Sequence, residues 1–432
     1  MFGWSVYDWA NSAYSTAIVS GLLPIYFKEG VMPSEGVALF GQTFNSATLW
    51  PAFGAVAALL VLIAAPALGA AADLASVKKR LLLSFCYMGV LNAALLSVCA
   101  RGDVWQTALF YIVSQFCFVA ANVFYDAFLP QIAPEGRQDW VSSKGFAYGY
   151  IGGGIQFALC LALIVGRDMF GLSEGGAVRV CMLMTAVWWG GFALITAFLL
   201  KETPSYEALP DRFRGAPKPL AYLGYGFSRS WTTARKIARM PSVLRFLIAY
   251  MIYSGGIQVV IHMATLFGTE ELKMEPTGLM TTLLIIQFIA FGGALLFGWM
   301  AGRLGAKRAV IVSLLGWTAA VVCAYFIQTQ TQFFALAVLV GLVLGGAQAL
   351  SRSLYGQMIP EQSAAEFYGF YSVFNKAPGF WGLGAFAALN HLFGFRPAML
   401  CVGLFFAAGM ALLAGVNEKT GEAAASADRP TP

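Results

Sequence analysis

The chain has 432 residues, of which 59% are hydrophobic and only 11% charged, and a formal net charge of +6. Soluble domains carry roughly 25% charged residues, so the composition excludes an ordinary water-soluble globule and places the chain in a lipid bilayer. The basic excess calls for no nucleic-acid partner: it lies in breaks between apolar runs, where anionic headgroups sit, and is not interleaved with aromatics on one extended face.

A helix needs about 20 apolar residues to cross the hydrocarbon core. Taken in chain order, the first half supplies six such runs, at 4–27, 47–72, 81–100, 105–129, 144–166 and 178–200. The second half supplies six more, at 243–267, 277–301, 308–327, 332–355, 366–389 and 395–415. The runs are continuously apolar rather than alternating, which favours helices over a closed barrel. The first has no basic leader or small-residue cleavage site and is expected to stay as a membrane helix. The fold class expected is therefore an all-α membrane protein of twelve transmembrane helices in two pseudo-symmetric six-helix bundles, 1–200 and 243–415.

Lys78, Lys79 and Arg80 follow the second run; Arg212, Arg214, Lys218, Arg229, Arg235, Lys236 and Arg239 follow the sixth; Arg303, Lys307 and Arg308 follow the eighth. The alternate loops carry only scattered basic residues, such as Lys28, Arg101, Arg167 and Lys273. Positive loops stay in the cytoplasm, which puts both termini there. The polar stretch 201–242 is read as a cytoplasmic linker. Within it Leu220, Leu223, Phe227, Trp231, Ala234 and Ile237 recur at helical spacing, as on a helix lying at a membrane surface; a solvated linker is the other reading. The Ala-, Ser- and Pro-containing tail, 416–432, is expected to be disordered.

Two motifs occur twice. Gly69-Ala-Ala-Ala-Asp73 with Lys78-Lys79-Arg80 follows the second run, and Gly298-Trp-Met-Ala-Gly302-Arg303 with Lys307-Arg308 follows the eighth. Gln131-Ile-Ala-Pro134-Glu135 follows the fourth, and Gln357-Met-Ile-Pro360-Glu361 the tenth. Counting back equally from each glutamine gives Asp126 and Arg352, so the halves place opposite charges at equivalent positions. Parallel six-helix repeats are a transporter architecture in which one half rocks against the other. Asp126 and Arg352 are thus expected either to form a breakable cytoplasmic gate or to pair locally at the headgroups.

The turn after the second run resembles the signature loop of the major facilitator superfamily, with Ser76 where a glycine is usual and Gly302 in place of the second acidic residue. Tyr7-Asp8-Trp9-Ala10-Asn11-Ser12-Ala13-Tyr14, Phe124-Tyr125-Asp126-Ala127-Phe128-Leu129-Pro130 and Gly149-Tyr150-Ile151-Gly152-Gly153 resemble its autophagy-related vacuolar effluxer-like branch. So do Gly345-Gly346-Ala347-Gln348-Ala349-Leu350-Ser351-Arg352-Ser353 and Glu366-Phe367-Tyr368-Gly369-Phe370-Tyr371. The resemblance implies small-molecule transport by a bacterial member and suggests amino acids as cargo; no cofactor is expected. After Tyr253 the branch often carries an acid, where this chain has Ser254.

Ionisable residues within a bilayer are candidate sites until explained. Asp8, Asn11, Ser12 and Ser15 share one helix face, which either lines a central cavity, with Asp8 as a proton-coupling group, or places Asp8 favourably near a helix N-terminus. Lys376 lies well inside the eleventh run, poised to meet a substrate carboxylate or to snorkel to the surface. Gln258 and Gln348 are the amides expected to orient a polar ligand; a lone His262 reads as packing. Neither a metal site nor an enzyme motif is found. The reading is a monomeric secondary transporter of the bacterial inner membrane that moves a small solute, with protons as coupling ion. Export of drugs or hydrophobic metabolites, lipid translocation and a non-transporting membrane protein are the alternatives.

Overall fold

The structure, a computed structural model, describes residues 1–39, 41–75, 77–202, 209–213 and 217–427. Ser76 of the signature loop, Arg214 of the linker and the last five residues of the tail lie outside the described residues. Among the described residues twelve helical spans cross the molecule, and ten of them are long and apolar enough to be recognised from length and composition alone: Ser46–Leu74, Lys78–Val98, Val104–Ile132, Gln138–Val165, Glu174–Leu199, Pro241–Thr269, Pro276–Leu304, Ala306–Phe326, Gln330–Gln357 and Phe395–Ala414. The other two, the first and the eleventh, are broken, and both breaks fall beside the central cavity.

The first span is α-helical over Phe2–Ala13, π-helical over Tyr14–Leu22, and continues through Leu23–Tyr26 and Phe27–Val31. Pro24 has no N–H for the Ser20 carbonyl, and the Leu23 N–H reaches back five residues to Ile18, which is the π pattern that recurs at functional sites. The eleventh span runs over Ala364–Lys376 and Pro378–Phe393. Pro378 removes the donor for the Phe374 carbonyl, so the helix breaks next to Lys376. Two short antiparallel strands, Val37–Leu39 and Gln42–Phe44, join the first and second spans, a hairpin the all-helical expectation lacked.

The linker carries a helix over Lys218–Ala238. Its exposed stripe comprises Leu220, Leu223, Phe227 and Trp231, whereas Ile237, assigned to the same stripe from spacing, is buried with Ala221 and Tyr225. Of the tail expected to be disordered over 416–432, the described part includes a helix over Glu418–Ala427. Its Glu418 carboxylate accepts the Lys307 backbone N–H at 3.1 Å, and Gly421 packs against Met358, contacts that composition does not announce.

The halves meet through close backbone approaches. A Cβ on Gly69 would lie 2.1 Å from the Ala365 carbonyl oxygen, and one on Gly298 would lie 2.6 Å from the Ser143 Cβ. The second span thus crosses the eleventh, and the eighth crosses the fifth, at symmetry-related glycines. The start of the first span, the helix Glu418–Ala427, the linker helix and all these crossings lie on one face, here called the linker face.

Candidate functional site

A cavity of about 440 Å³ lies between the halves. Its first-half wall is polar, with Asp8, Asn11, Ser12, Ser15 and Thr16 from the first span and Asn122 from the fourth. Its second-half wall is more apolar, including Ile261, Leu283, Ile286, Val321 and Val340, but it too carries polar groups, among them Gln258, Gln287, Gln348, Ser372, Asn375 and Lys376. Ser15, Thr16 and Ser20, in the π-helical stretch, line the same cavity as Asp8.

At the linker-face end the cavity terminates on a buried ion cluster. Arg352, from the tenth span, reaches Asp126 Oδ1 at 3.0 Å and Asp8 Oδ2 at 3.6 Å. Its Nε donates to Ser142 Oγ at 3.0 Å and its second amino group to the Ser142 carbonyl at 2.9 Å. The guanidinium lies 4.2 Å from the Phe146 ring centroid and 4.9 Å from that of Trp4. Tyr125 Oη donates to Asp8 Oδ2 at 2.9 Å. Every one of these partners of Arg352 belongs to the first half, so a single second-half cation is seated in a first-half socket. A planar guanidinium suits such a place because it serves several acceptors and stacks on rings simultaneously. Two carboxylates share the one guanidinium.

Lys376 lines the cavity from the break in the eleventh span, and among the described residues it has no ion-pair partner. Neighbouring Asn375 donates to Tyr250 Oη. Tyr150 Oη donates to Gln348 Oε1 at 2.7 Å, a hydrogen bond between the halves, and Asn11 Nδ2 donates to Asn122 Oδ1 at 2.6 Å. Ser15 Oγ donates to the Ser12 carbonyl at 3.2 Å; Gln258 lines the wall. His262 is exposed, with Nδ1 2.8 Å from the Gln258 carbonyl.

The signature loop forms a second charged site. Asp73 pairs with Lys78 at 2.9 Å and accepts the backbone N–H groups of Ala365 at 3.3 Å and Glu366 at 2.8 Å. A first-half carboxylate thereby caps a second-half helix, where exposed N–H groups and the helix dipole favour an anion. Glu202 accepts the N–H groups of Lys78 at 2.7 Å and Lys79 at 3.1 Å. The Arg80 side chain is exposed. Arg303 stacks on Trp299 of its own span at 4.1 Å and does not join the contact between halves; with Gly302 in place of an acid, nothing there draws it across.

Several participants are not singled out by sequence reasoning: Ser142, Tyr125 as a donor to Asp8, Glu202 and Glu366. A signal for one existed. Glu202 follows the sixth span as Glu418 follows the twelfth, and each caps the helix that begins at the basic turn, Lys78 or Lys307. That third internal repeat is visible in the sequence once the other two are aligned.

Comparison with known proteins agrees over the full chain. Among solved structures, the major facilitator superfamily transporter FucP in its outward conformation superposes with a TM-score of 0.70 at 15% identity, over 96% of this chain and 97% of that one. The proton:xylose symporter XylE bound to 6-bromo-6-deoxy-D-glucose gives 0.70 at 14% identity, over 97% and 96%. These share the fold, which is that of the major facilitator superfamily. The uncharacterized MFS-type transporter YxiO of Bacillus subtilis is 32% identical over 425 residues, 96% of this chain and 94% of the relative. Autophagy-related protein 22-1 of Emericella nidulans is 23% identical over 518 aligned positions, covering 94% and 87%. The profile described as vacuole effluxer Atg22-like matches residues 1–426. The chain therefore belongs to the Atg22-like vacuole effluxer family, and is an integral membrane transporter of the major facilitator superfamily.

Proposed function

We propose that this chain moves a small zwitterionic or amphipathic solute, with amino acids as the leading class, by proton-coupled alternating access across a bacterial inner membrane, its termini and linker in the cytoplasm. One observation carries the reading: a cavity with an unpaired cation, Lys376, at its second-half wall ends on the cluster of Asp8, Asp126 and Arg352 that joins the two halves. In this reading the cluster is the cytoplasmic gate. When the halves part, Arg352 leaves its socket, and Asp8 and Asp126 are left beside each other without their shared counter-charge. Taking up a proton at Asp8 relieves that cost, which ties opening to the proton gradient. Lys376 receives the solute carboxylate as a charge-assisted contact, and the serines and asparagines of the first and fourth spans face its polar end. Gln258 and Gln348 orient the remainder.

The apolar second-half wall favours a second reading, export of a hydrophobic metabolite, in which Lys376 contributes little. Uptake and counterflow of a labelled amino-acid panel in proteoliposomes, with and without an imposed pH gradient, separate the two. The expected result is saturable movement whose gradient-driven part disappears in Asp8→Asn while counterflow persists, and whose affinity falls at least tenfold in Lys376→Gln, the loss of a charge-assisted contact of about 1.5–3 kcal/mol. No movement of any amino acid by folded protein would withdraw that substrate class. The gate is tested by Asp126→Asn, Arg352→Gln and the charge-swapped pair, since independent defects without rescue would overturn it.

A further inference from the structure

The transport reading leaves the linker helix Lys218–Ala238 without a task. Its buried face lies on the second span so closely that a Cβ on Gly226 would be 2.2 Å from the Ala67 carbonyl oxygen. The second span has 30 residues, about 45 Å of helix against a hydrocarbon core of about 30 Å. Centred, it overhangs the core by about 7 Å at each end; Ala67, about 12 Å from the Ala75 end, is then roughly 5 Å inside the boundary. The exposed stripe of Leu220, Leu223, Phe227 and Trp231, 39% to 64% accessible, is thus held at the depth where interfacial helices bury their apolar face.

The charges beside that stripe are basic. Arg235 and Arg239 are exposed, and the Arg235 guanidinium lies 5.1 Å from the Trp231 ring, a cation and an aromatic side by side as at a headgroup layer. The same helix also grips the second half. Thr233 Oγ1 and Arg229 Nε donate to the buried Glu366 carboxylate, the latter at 3.4 Å, and Lys236 Nζ lies 5.8 Å from the Phe367 ring. Glu366 is the residue whose backbone N–H is held by Asp73. Linker helix, second span and eleventh span therefore converge on one point of the seam between the halves.

We infer that the linker helix binds anionic phospholipid headgroups through Arg235 and Arg239, with its apolar stripe among the acyl chains, and that bound lipid holds the seam between the second and eleventh spans shut. The lipid presses the helix onto the first half, which keeps Arg229 and Thr233 in reach of Glu366 on the second. Opening the linker face has to pull Glu366 away from both. The consequence for transport rests on the alternating-access reading above; the lipid site does not.

Hydrogen exchange of the full-length protein in nanodiscs of phosphatidylcholine, with and without phosphatidylglycerol, tests it. Anionic lipid is worth about 1 kcal/mol per surface arginine or lysine, so with two arginines exchange over 218–238 and over 364–370 is expected to slow roughly thirtyfold with phosphatidylglycerol and to lose that slowing at high salt. The double variant Arg235→Gln/Arg239→Gln, changed only at exposed positions, is expected to exchange alike in both lipids. In Glu366→Gln, 218–238 is expected still to respond, and 364–370 not. Native protein that exchanges equally in both lipids, or a double variant that keeps the full response, overturns the lipid site. A native response confined to 218–238 overturns its link to the seam. A chain that moves no amino acid leaves all these rates unchanged, so the two readings fail separately.

Discussion

Where the second span meets the eleventh, an aspartate and a lysine lie at the crossing, and the aspartate holds two N–H groups of the opposite half. Where the eighth span meets the fifth, the aspartate's place is taken by Gly302, a Cβ there would meet nothing within 4 Å, and Arg303 turns to Trp299. The close glycines are nevertheless common to both crossings, Gly69 on one and Gly298 on the other. Pseudo-symmetry is thus kept in the backbone approach, which sets how near the halves can come, and abandoned in the charges, which set how hard they are to separate. One seam is an ionic latch with directional bonds; the other is held by packing. A molecule that rocks has to break both, and among the described residues only the first of the two crossings carries an ion pair of its own.

Removing the latch's carboxylate gives the largest expected effect. Asp73→Asn leaves Lys78, whose side chain is 4% exposed, without its partner, and breaking a buried pair this way costs about 3–5 kcal/mol. The apparent Tm in detergent should fall, and exchange over 364–370 should rise, whereas Arg303→Gln at the mate should leave both within error. Equal responses of the two would break the comparison. Gly69→Ala comes next: a methyl against a backbone carbonyl at 2.1 Å is overpacking of about 1–3 kcal/mol, shifting the population toward a parted linker face. Gly302→Ala, with open space around it, should change neither exchange nor transport. The smallest effect is expected at the two caps. Glu202→Gln and Glu418→Gln each weaken a carboxylate cap at a helix N-terminus, about 1 kcal/mol, read as faster exchange at the first turns of the third and ninth spans respectively. Similar losses at both would sharpen the view that these caps, unlike the latch, are a conserved symmetric pair within this molecule.

Much of this arrangement was readable without coordinates, because hydrophobic run length is local information. It fixes the spans, the basic turns and the linker, and aligning Gln131 with Gln357 was enough to set Asp126 against Arg352, 226 residues apart in the chain. The polar face of Asp8, Asn11, Ser12 and Ser15 follows from helical spacing alone, and all four line the cavity. What spacing cannot carry is how each helix is turned when the bundles dock. That rotation decides that Asp8 joins the Arg352 cluster, that Ser142 completes the socket, and that Pro24 is accommodated by π winding. It also decides that Ile237 faces inward and that Glu418 makes a tail helix worth forming. Apart from the π winding at Pro24, each of these depends on a partner on another helix, often in the other half, and a pairing of that kind has no period in the sequence. The amino-acid order determined which segments enter the bilayer and which charges they take with them; only the tertiary structure decided which charges meet, because the cost of an unpaired charge in a low-dielectric interior is settled by neighbours rather than by sequence distance.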